Sequence, residues 1–146
     1  MKKFLIINGP NLNMLGKREA SVYGLLTLEQ IKDYTAQKLV NYDLQCEWFQ
    51  SNIEGEIVTR IQQAVDEKWE AVIINPGAYS HTSVAILDAL KILHCKIVEI
   101  HLTNTHSREA FRQERLTAKA AHIIMEGLGK DAYYLAILSQ VLNSNV

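Results

Sequence analysis

Residues 71–100 read AVIINPGAYSHTSVAILDALKILHCKIVEI, and this stretch decides the fold. It begins with AVIIN and ends with KIVEI, two short apolar runs of the kind found in buried strands. The segment between them, from about His81 to Leu93, has the pattern of a helix. Two strands connected through a helix lie parallel in one sheet. The stretch therefore predicts a strand–helix–strand unit of a parallel α/β sheet.

The same alternation continues on both sides of this unit. Three more apolar runs are predicted to be strands, FLIIN at 4–8, CEWF at 46–49 and HIIM at 122–125. A last helix is predicted from Asp131 to Leu142. This order predicts a mostly parallel, doubly wound sheet of five strands with helices on both faces.

Two of the predicted helices carry a start signal. Gln30 follows Thr27 by three residues, Glu54 follows Ser51 by three, and apolar residues then recur at helical spacing. Residues of these types at this spacing form a capping box, in which each side chain bonds the other residue's backbone N–H. The spacing predicts that helices begin after Thr27 and after Ser51.

The composition is that of an ordinary globular protein. The chain has 146 residues, of which 48% are hydrophobic and 21% charged, so we expect one domain over residues 1–146. A net charge of −1 gives the chain as a whole no electrostatic reason to bind nucleic acid. Cys46 and Cys95 lack metal-ligand spacing, no apolar run approaches the length of a membrane span, and no charged leader opens the sequence. These features predict a reducing, cytoplasmic location.

Residues 99–112, EIHLTNTHSREAFR, bring acidic, imidazole and cationic side chains together. Glu99 and His101 are two residues apart, so on a strand they leave the same face and can form an oriented acid/base pair. Arg108 and Arg112 are four apart, so a short helix would stack two guanidinium groups suited to a carboxylate or a phosphate. The segment predicts a site for an anionic substrate.

Polar loops follow the first four predicted strands: NGPNLNMLGKREASVYG, QSNIEGE, NPGAYSHTS and HLTNTHSRE. Ligands of open parallel sheets bind beyond the carboxyl ends of the strands, where these loops converge. The same residue types are ordinary in loops, but four such loops at one edge favour a binding site.

The first of these loops is unusually long, and Gly16 and Gly24 could act as hinges around Arg18 and Tyr23. Long loops of this kind are often lids over an active site, which gives Arg18 and Tyr23 a catalytic interpretation. The alternative is that Arg18 is solvated and Tyr23 packs over the sheet edge.

His81 and Asp88 have ordinary interpretations as a helix-start histidine and a solvated helix aspartate. Asp88, however, interrupts the apolar run VAILDALKIL, where an unpaired carboxylate would be costly, so we expect it to have a partner. Asp88 lies roughly 10 Å along a helix from His81, and the run has apolar residues on more than one face. These facts favour contact with a neighbouring subunit over a basic partner in the same subunit.

Six blocks, in order and spacing, carry a family resemblance: NGPNLNMLG, REASVYG, QSNIEGE, NPGAYSHTSVAILDAL, EIHLTN and SREAFR. The chain resembles the type II 3-dehydroquinate dehydratases over nearly its whole length. The resemblance implies a flavodoxin-like α/β subunit and a shikimate-pathway lyase that removes water from 3-dehydroquinate by anti elimination through an enolate. It also implies no cofactor or metal, and trimers that assemble into a dodecamer.

The resemblance also implies roles for particular residues. Those implied to act at the reacting atoms are Tyr23 as general base, Arg18 beside it, Asn11 at the enolate, and His101 held by Glu99 as the acid. Those implied to bind the substrate are Asn75, Leu102 and Thr103 at its carboxylate, His81, Arg112 and Asp88 at its hydroxyls, and Arg108 in the surrounding shell. The chain departs from the family pattern at Ala20, where proline is frequent, and at Thr103, where serine is frequent.

Two other functional classes are weighed against this one. A flavodoxin-like binding or signalling domain should have a phosphate-cradling loop or an acidic metal pocket after its first strand, and this chain has Asn8-Gly9-Pro10-Asn11 there. A metal-dependent hydrolase could draw its ligands from His81, Glu99, His101 and His106, although no close HExxH-type spacing is present.

Overall fold

Strands and helices alternate along the chain as the sequence predicts. The computed structural model describes residues 1–17 and 20–143, without the side chains of residues 20 and 23. The strands in this part of the chain are β1 (Lys2–Asn8), β2 (Leu44–Gln50), β3 (Ala71–Asn75), β4 (Lys96–His101) and β5 (Ile123–Glu126). The α-helices are α1 (Ala20–Tyr23), α2 (Leu28–Lys38), α3 (Glu54–Val65), α4 (Val84–Leu90) and α5 (Ala132–Asn143). None of these helices is long and apolar enough to cross a bilayer.

The five strands form one sheet in the order β2-β1-β3-β4-β5, and every neighbouring pair is parallel. The chain starts in the interior of the sheet, moves outward to β2, and then returns to β3 on the other side of β1. The strand order therefore reverses between β1 and β3, which is the doubly wound, flavodoxin-like arrangement. The predicted fold class is confirmed.

Each face of the sheet has its own hydrophobic core. Successive side chains of a strand point to opposite faces, so Phe4 and Ile6 pack under α2 and α5, whereas Leu5 and Ile7 pack under α3 and α4. All four of these β1 side chains are fully buried. A strand covered on both faces reads as a continuous apolar run, which explains FLII and AVII in the sequence.

Only one of the two predicted capping boxes forms. Thr27 Oγ1 accepts from the N–H of Gln30 at 3.1 Å, and the N–H of Thr27 donates to Oε1 of Gln30 at 2.9 Å. The predicted box at Ser51 is wrong, because α3 begins at Glu54 and its N-cap is Ile53. Ser51 Oγ instead accepts from the N–H of Ile53 at 2.9 Å and donates to Glu56 at 2.8 Å.

The helix predicted from His81 to Leu93 is shorter at both ends. Residues Gly77–His81 form a 3-10 helix, and α4 starts only after Ser83, whose hydroxyl accepts from the N–H of Ile86 at 2.9 Å. The serine hydroxyl supplies an N-cap that the apolar pattern did not reveal. As a result His81 lies in the turn between β3 and α4, close to the carboxyl end of β3.

Asp88 lies on the exposed face of α4, so within the single subunit the carboxylate does not bear the cost of burial without a partner. The apolar side chains that α4 buries face the sheet instead. Within the described residues the exposed side chain of Asp88 makes no ion pair or hydrogen bond. Val84 and Ile92, on the same side as Asp88, are 55% and 51% exposed.

The ends of β1 and β3 approach each other so closely that one residue has to lack a side chain. The N–H of Gly9 donates to the carbonyl oxygen of Asn75 at 2.8 Å. A Cβ atom on Gly9 would lie 2.4 Å from the carbonyl oxygen of Pro76. This is too close for two non-bonded atoms, so the backbone would have to move. Gly9 therefore sets the separation of the two loops that follow β1 and β3.

We predict that Gly9→Ala destabilises the protein, because the methyl group forces these loops apart; overpacking of this kind costs about 1–3 kcal/mol. Urea unfolding followed by circular dichroism measures the change. Gly55→Ala is the matched control: a Cβ there meets nothing within 4 Å, and glycine in a helix costs about 0.5–1 kcal/mol relative to alanine. Equal stability of the Gly9→Ala variant and the unmodified protein would contradict this account.

Candidate active site

A pocket of about 490 Å³, partly open to solvent, lies beyond the carboxyl ends of β1, β3 and β4. Its position is the one expected for a doubly wound sheet, next to the point where the strand order reverses. Eight residues that the sequence singled out line it: Asn11, Asn75, His81, His101, Leu102, Thr103, Arg108 and Arg112.

The structure brings Glu99 and His101 together on β4. Nε2 of His101 lies 2.9 Å from Oε2 of Glu99, and the two residues are 6% and 0% exposed. A carboxylate only accepts hydrogen bonds, so this contact places a proton on Nε2 and leaves Nδ1 as the ring nitrogen available to the pocket. The pair has the geometry of a histidine held in one orientation for proton transfer.

His81 is fixed by the backbone of a distant segment. Its Nδ1 lies 2.6 Å from the carbonyl oxygen of Glu114, which can only accept, so Nδ1 carries the proton. Burial lowers the pKa of His81 below its ordinary value, and the nearby His101, Arg112 and Arg115 act in the same direction. A neutral His81 therefore offers Nε2 as a hydrogen-bond acceptor to a ligand in the pocket.

Arg108 and Arg112 both reach the pocket, but they do not share a helix. Arg108 follows the 3-10 helix Thr105–Ser107 in extended backbone, with φ −108° and ψ −164°, and Arg112 lies in the next 3-10 helix, Ala110–Gln113. The prediction of one helical face is therefore wrong. Nε of Arg112 donates to the Glu109 carboxylate, and this hydrogen bond holds the pKa of Glu109 below its usual range. Both arginines still line the pocket, which favours an anionic ligand.

Two asparagines at the strand ends are joined by a buried tyrosine. Asn8 and Asn75 are partners in the β1–β3 register. The hydroxyl of Tyr133 donates to Oδ1 of Asn8 at 2.5 Å and accepts from Nδ2 of Asn75 at 3.3 Å. Burial raises the pKa of Tyr133 well above its ordinary value, so the hydroxyl keeps its proton. Asn75 is thereby fixed with one Nδ2 hydrogen left for the pocket.

Asn11 has left-handed backbone, with φ 68°, at the start of the long first loop. Its N–H donates to Oδ1 of Asn52 at 3.0 Å, and the backbone carbonyl of Asn52 accepts from the hydroxyl of Tyr79 at 2.6 Å. Asn52 is a site-supporting residue that sequence reasoning did not single out. Its signal was its place in the QSNIEGE loop after β2, since parallel strands bring their carboxyl ends to one edge.

The loop after β4 is anchored by an ion pair that the sequence did not reveal. Nη2 of Arg115 lies 2.6 Å from Oε1 of Glu126, and both groups also contact the hydroxyl of Thr105, which lines the pocket. Burial opposes ionisation of Glu126, but hydrogen bonds from Arg115 and Thr105 outweigh it and hold the pKa of Glu126 below its usual range. The ion pair therefore ties the pocket wall to β5.

The remaining predicted site residues are not among the described residues that line the pocket. Arg18 and the side chain of Tyr23 fall outside the described residues, and Asp88 is not among the residues that line the pocket. The two glycines proposed as hinges, Gly16 and Gly24, both have positive φ, 86° and 82°. These are conformations that glycine adopts without strain.

The ligand set considered for a metal-dependent hydrolase is not assembled. Within residues 1–17 and 20–143, no group of three or more histidine, cysteine, aspartate or glutamate side chains has an arrangement that could hold a metal ion. His101 faces Glu99, and His106 lies against Arg115 and Glu126 instead.

Comparison with known proteins gives a consistent result over nearly the whole chain. The family model described as Dehydroquinase class II matches residues 2–141. The 3-dehydroquinate dehydratase of Helicobacter acinonychis (strain Sheeba) is 45% identical over 141 residues, which cover 95% of this chain and 84% of that protein. The fold is similar to the type II dehydroquinase crystal structures from Butyrivibrio crossotus and Propionibacterium acnes. The first has a TM-score of 0.92 and is 38% identical, and the match covers 96% of this chain and 97% of that chain. The second has a TM-score of 0.93 and is 34% identical, and the match covers 98% of each chain.

We predict that Tyr133→Phe lowers the free energy of unfolding by about 1–3 kcal/mol, because it leaves Oδ1 of Asn8 and Nδ2 of Asn75 buried without their shared partner. Thermal or urea unfolding measures the loss. Tyr134→Phe on the same helix is the matched control, and as a change at a partly exposed position it should stay within about 0.5 kcal/mol. If the two variants are equally stable, the tyrosine bridge contributes nothing.

Proposed function

Since the chain belongs to the class II dehydroquinase family, it acts as a 3-dehydroquinate dehydratase, and we propose that it removes water from 3-dehydroquinate in the pocket beyond β1, β3 and β4. The enzyme is a hydro-lyase of the shikimate pathway, and its product is 3-dehydroshikimate. The observation that carries the proposed location is the buried Glu99–His101 pair, which presents an imidazole to a pocket that also holds two arginines.

Tyr23 is the proposed general base, taking a proton from C2 of the substrate as the tyrosinate. A phenol titrates near ~10, so a neighbouring cation is needed to make the ionised form accessible at neutral pH. Arg18, in the same loop, is the proposed cation. Loss of the C2 proton gives an enolate on the C3 carbonyl, and Asn11 is proposed to stabilise its charge through a water molecule.

His101 is the proposed general acid for the second half of the elimination. A proton on Nδ1 passes to the C1 hydroxyl, which leaves as water while the enolate collapses to the conjugated enone. Glu99 supports this role because its carboxylate, 2.9 Å from Nε2, stabilises the protonated ring before transfer. Removal of the C2 proton and departure of the C1 hydroxyl on opposite faces makes the elimination anti. The proposed chemistry involves no cofactor or metal.

The remaining residues of the pocket are proposed to hold the substrate in place. The substrate carboxylate is assigned to the Asn75 amide and the backbone N–H groups of Leu102 and Thr103. The ring hydroxyls are assigned to His81, whose Nε2 is an acceptor, and to Arg112, with Arg108 ordering the shell around them. The fixed orientation of Asn75 and His81 supports these assignments, since both are held by protein groups outside the pocket.

We further propose that the chain is a single cytoplasmic domain that assembles as trimers within a dodecamer, and that Asp88 reaches the pocket of an adjoining subunit. The exposed apolar side chains of Val84 and Ile92 beside Asp88 support a subunit contact on this face of α4. Contact with a neighbour would cover these apolar groups and give the carboxylate a partner in the same step.

The first test of the proposed function follows the ultraviolet absorbance of the conjugated enone after 3-dehydroquinate is added. We expect turnover by the unmodified protein and a loss of roughly 10²–10⁴-fold in kcat for Tyr23→Phe, because a phenyl ring cannot accept a proton. Circular dichroism should show unchanged folding. An inactive unmodified protein would refute the dehydratase function, whereas an active Tyr23→Phe variant would remove only Tyr23 from the mechanism.

The second test addresses the shared site by mixing Asp88→Ala protein with Tyr23→Phe protein under conditions that exchange subunits. If Asp88 serves the neighbouring pocket, random pairing restores both native residues in roughly one quarter of the sites, and activity returns. Each variant exchanged with itself is the control and should gain nothing. Proven exchange without recovered activity, or a monomeric active enzyme by light scattering, would rule out sharing.

A further inference from the structure

A third side chain completes the buried Glu99–His101 pair. The hydroxyl of Thr117 donates to Oε1 of Glu99, while Nε2 of His101 lies 2.9 Å from Oε2 of the same carboxylate. Thr117 and Glu99 are both 0% exposed. Each oxygen of the carboxylate is therefore bonded to a different part of the chain, with no access to bulk water.

We propose that Thr117 is a positioning residue for the dehydration: its hydroxyl fixes the Glu99 carboxylate and, through it, the imidazole of His101 for proton transfer to the leaving hydroxyl. This inference rests on the proposed function. Thr117 is not among the described residues that line the pocket, and its hydroxyl contacts Glu99, so its effect on the reaction passes through Glu99.

The physical need for a second donor follows from the rotational freedom of a carboxylate. The terminal torsion of a glutamate side chain has a broad energy minimum, so one hydrogen bond to His101 alone leaves the plane of the carboxylate loosely defined. A donor on the other oxygen fixes that plane. It also satisfies an acceptor that would otherwise be buried and unpaired beneath the site.

The position of the Thr117 hydroxyl is set independently of the acid pair. The N–H of Leu116 donates to the carbonyl oxygen of Ser80 at 2.8 Å, and the carbonyl oxygen of Glu114 lies 2.6 Å from Nδ1 of His81. These contacts bind the segment before Thr117 to the turn that precedes α4. Thr117 then begins the 3-10 helix Thr117–Ala120. The backbone therefore delivers the hydroxyl to Glu99, and the same segment orients His81.

Two substitutions separate the hydroxyl from the packing of the side chain. Thr117→Val keeps the shape and loses the hydroxyl, whereas Thr117→Ser keeps the hydroxyl and loses a methyl group. We expect Thr117→Val to lower kcat at least ~10-fold, which is part of the roughly 10²–10⁴-fold that positioned proton transfer contributes, and to change KM less than about threefold. We expect Thr117→Ser to retain at least about a third of kcat, because the donor is still in place.

A residue that only fills space gives the opposite order, since valine replaces its volume better than serine does. The proposal is overturned if Thr117→Val keeps kcat within about threefold of the unmodified enzyme, or if Thr117→Ser loses as much as Thr117→Val. Thermal unfolding of each variant checks that it is folded. If Thr117→Val does not fold, Thr117→Ala and Thr117→Ser, which differ only by the oxygen, give the same comparison.

The unmodified enzyme, assayed alongside, distinguishes this inference from the function on which it rests. Dehydration by the unmodified enzyme together with full activity of Thr117→Val refutes the role of Thr117 alone. No dehydration by the unmodified enzyme refutes the proposed function, and the role of Thr117 with it.

Discussion

The interior place of β1 in the sheet, between β2 and β3, is the constraint on which the rest of the structure depends. This strand pairs in parallel with β2 on one side and β3 on the other, and its side chains are buried against helices on both faces. The chain must therefore leave β1 in one direction and return in the other. The loops after β1 and β3 diverge to opposite faces, and a cleft opens between them. Gly9 permits the close backbone approach at the base of this cleft.

A cleft at the ends of buried strands leaves polar groups next to an apolar core, and each of them needs a partner. Asn8 and Asn75 share the hydroxyl of Tyr133, and both oxygens of Glu99 accept hydrogen bonds. Unpaired, such groups would be costly to bury. The hydrogen bonds that stabilise the fold at this edge are thus the ones that orient the amide and imidazole groups of the site.

The charged groups of the pocket fall into two sets, one buried beneath the pocket and one lining it. The negative charge of Glu99 lies beneath the surface and acts on His101, while the guanidinium groups of Arg108 and Arg112 line the cavity itself. A carboxylate group entering the pocket would therefore meet cationic and neutral donors rather than exposed acids. His81, neutral because burial lowers its pKa, adds an acceptor without adding charge. This combination suits a small anion that carries hydroxyl groups.

Local periodicity was enough to predict the five strands and the start of α2, because these features depend on residues within a few positions of each other. The parallel sheet followed from the alternation of strands with helices along the chain. The two-residue spacing of Glu99 and His101 predicted their contact for the same reason. The family resemblance implied roles for particular residues, and most of those residues line the pocket.

Only the tertiary structure revealed the residues that hold the site. Tyr133 bonds an asparagine 125 residues away, Thr117 bonds Glu99 across 18 residues, and Asn52 bonds Asn11 across 41. Local sequence carries no signal for such pairs, since each partner alone reads as an ordinary core or loop residue. The arginine pair was mispredicted for a related reason: contacts with the turn before α4 and with β5, not helical spacing, set the path of the backbone from 105 to 117. Short-range patterns thus determined which elements form, and long-range hydrogen bonds between polar groups determined how they build a site.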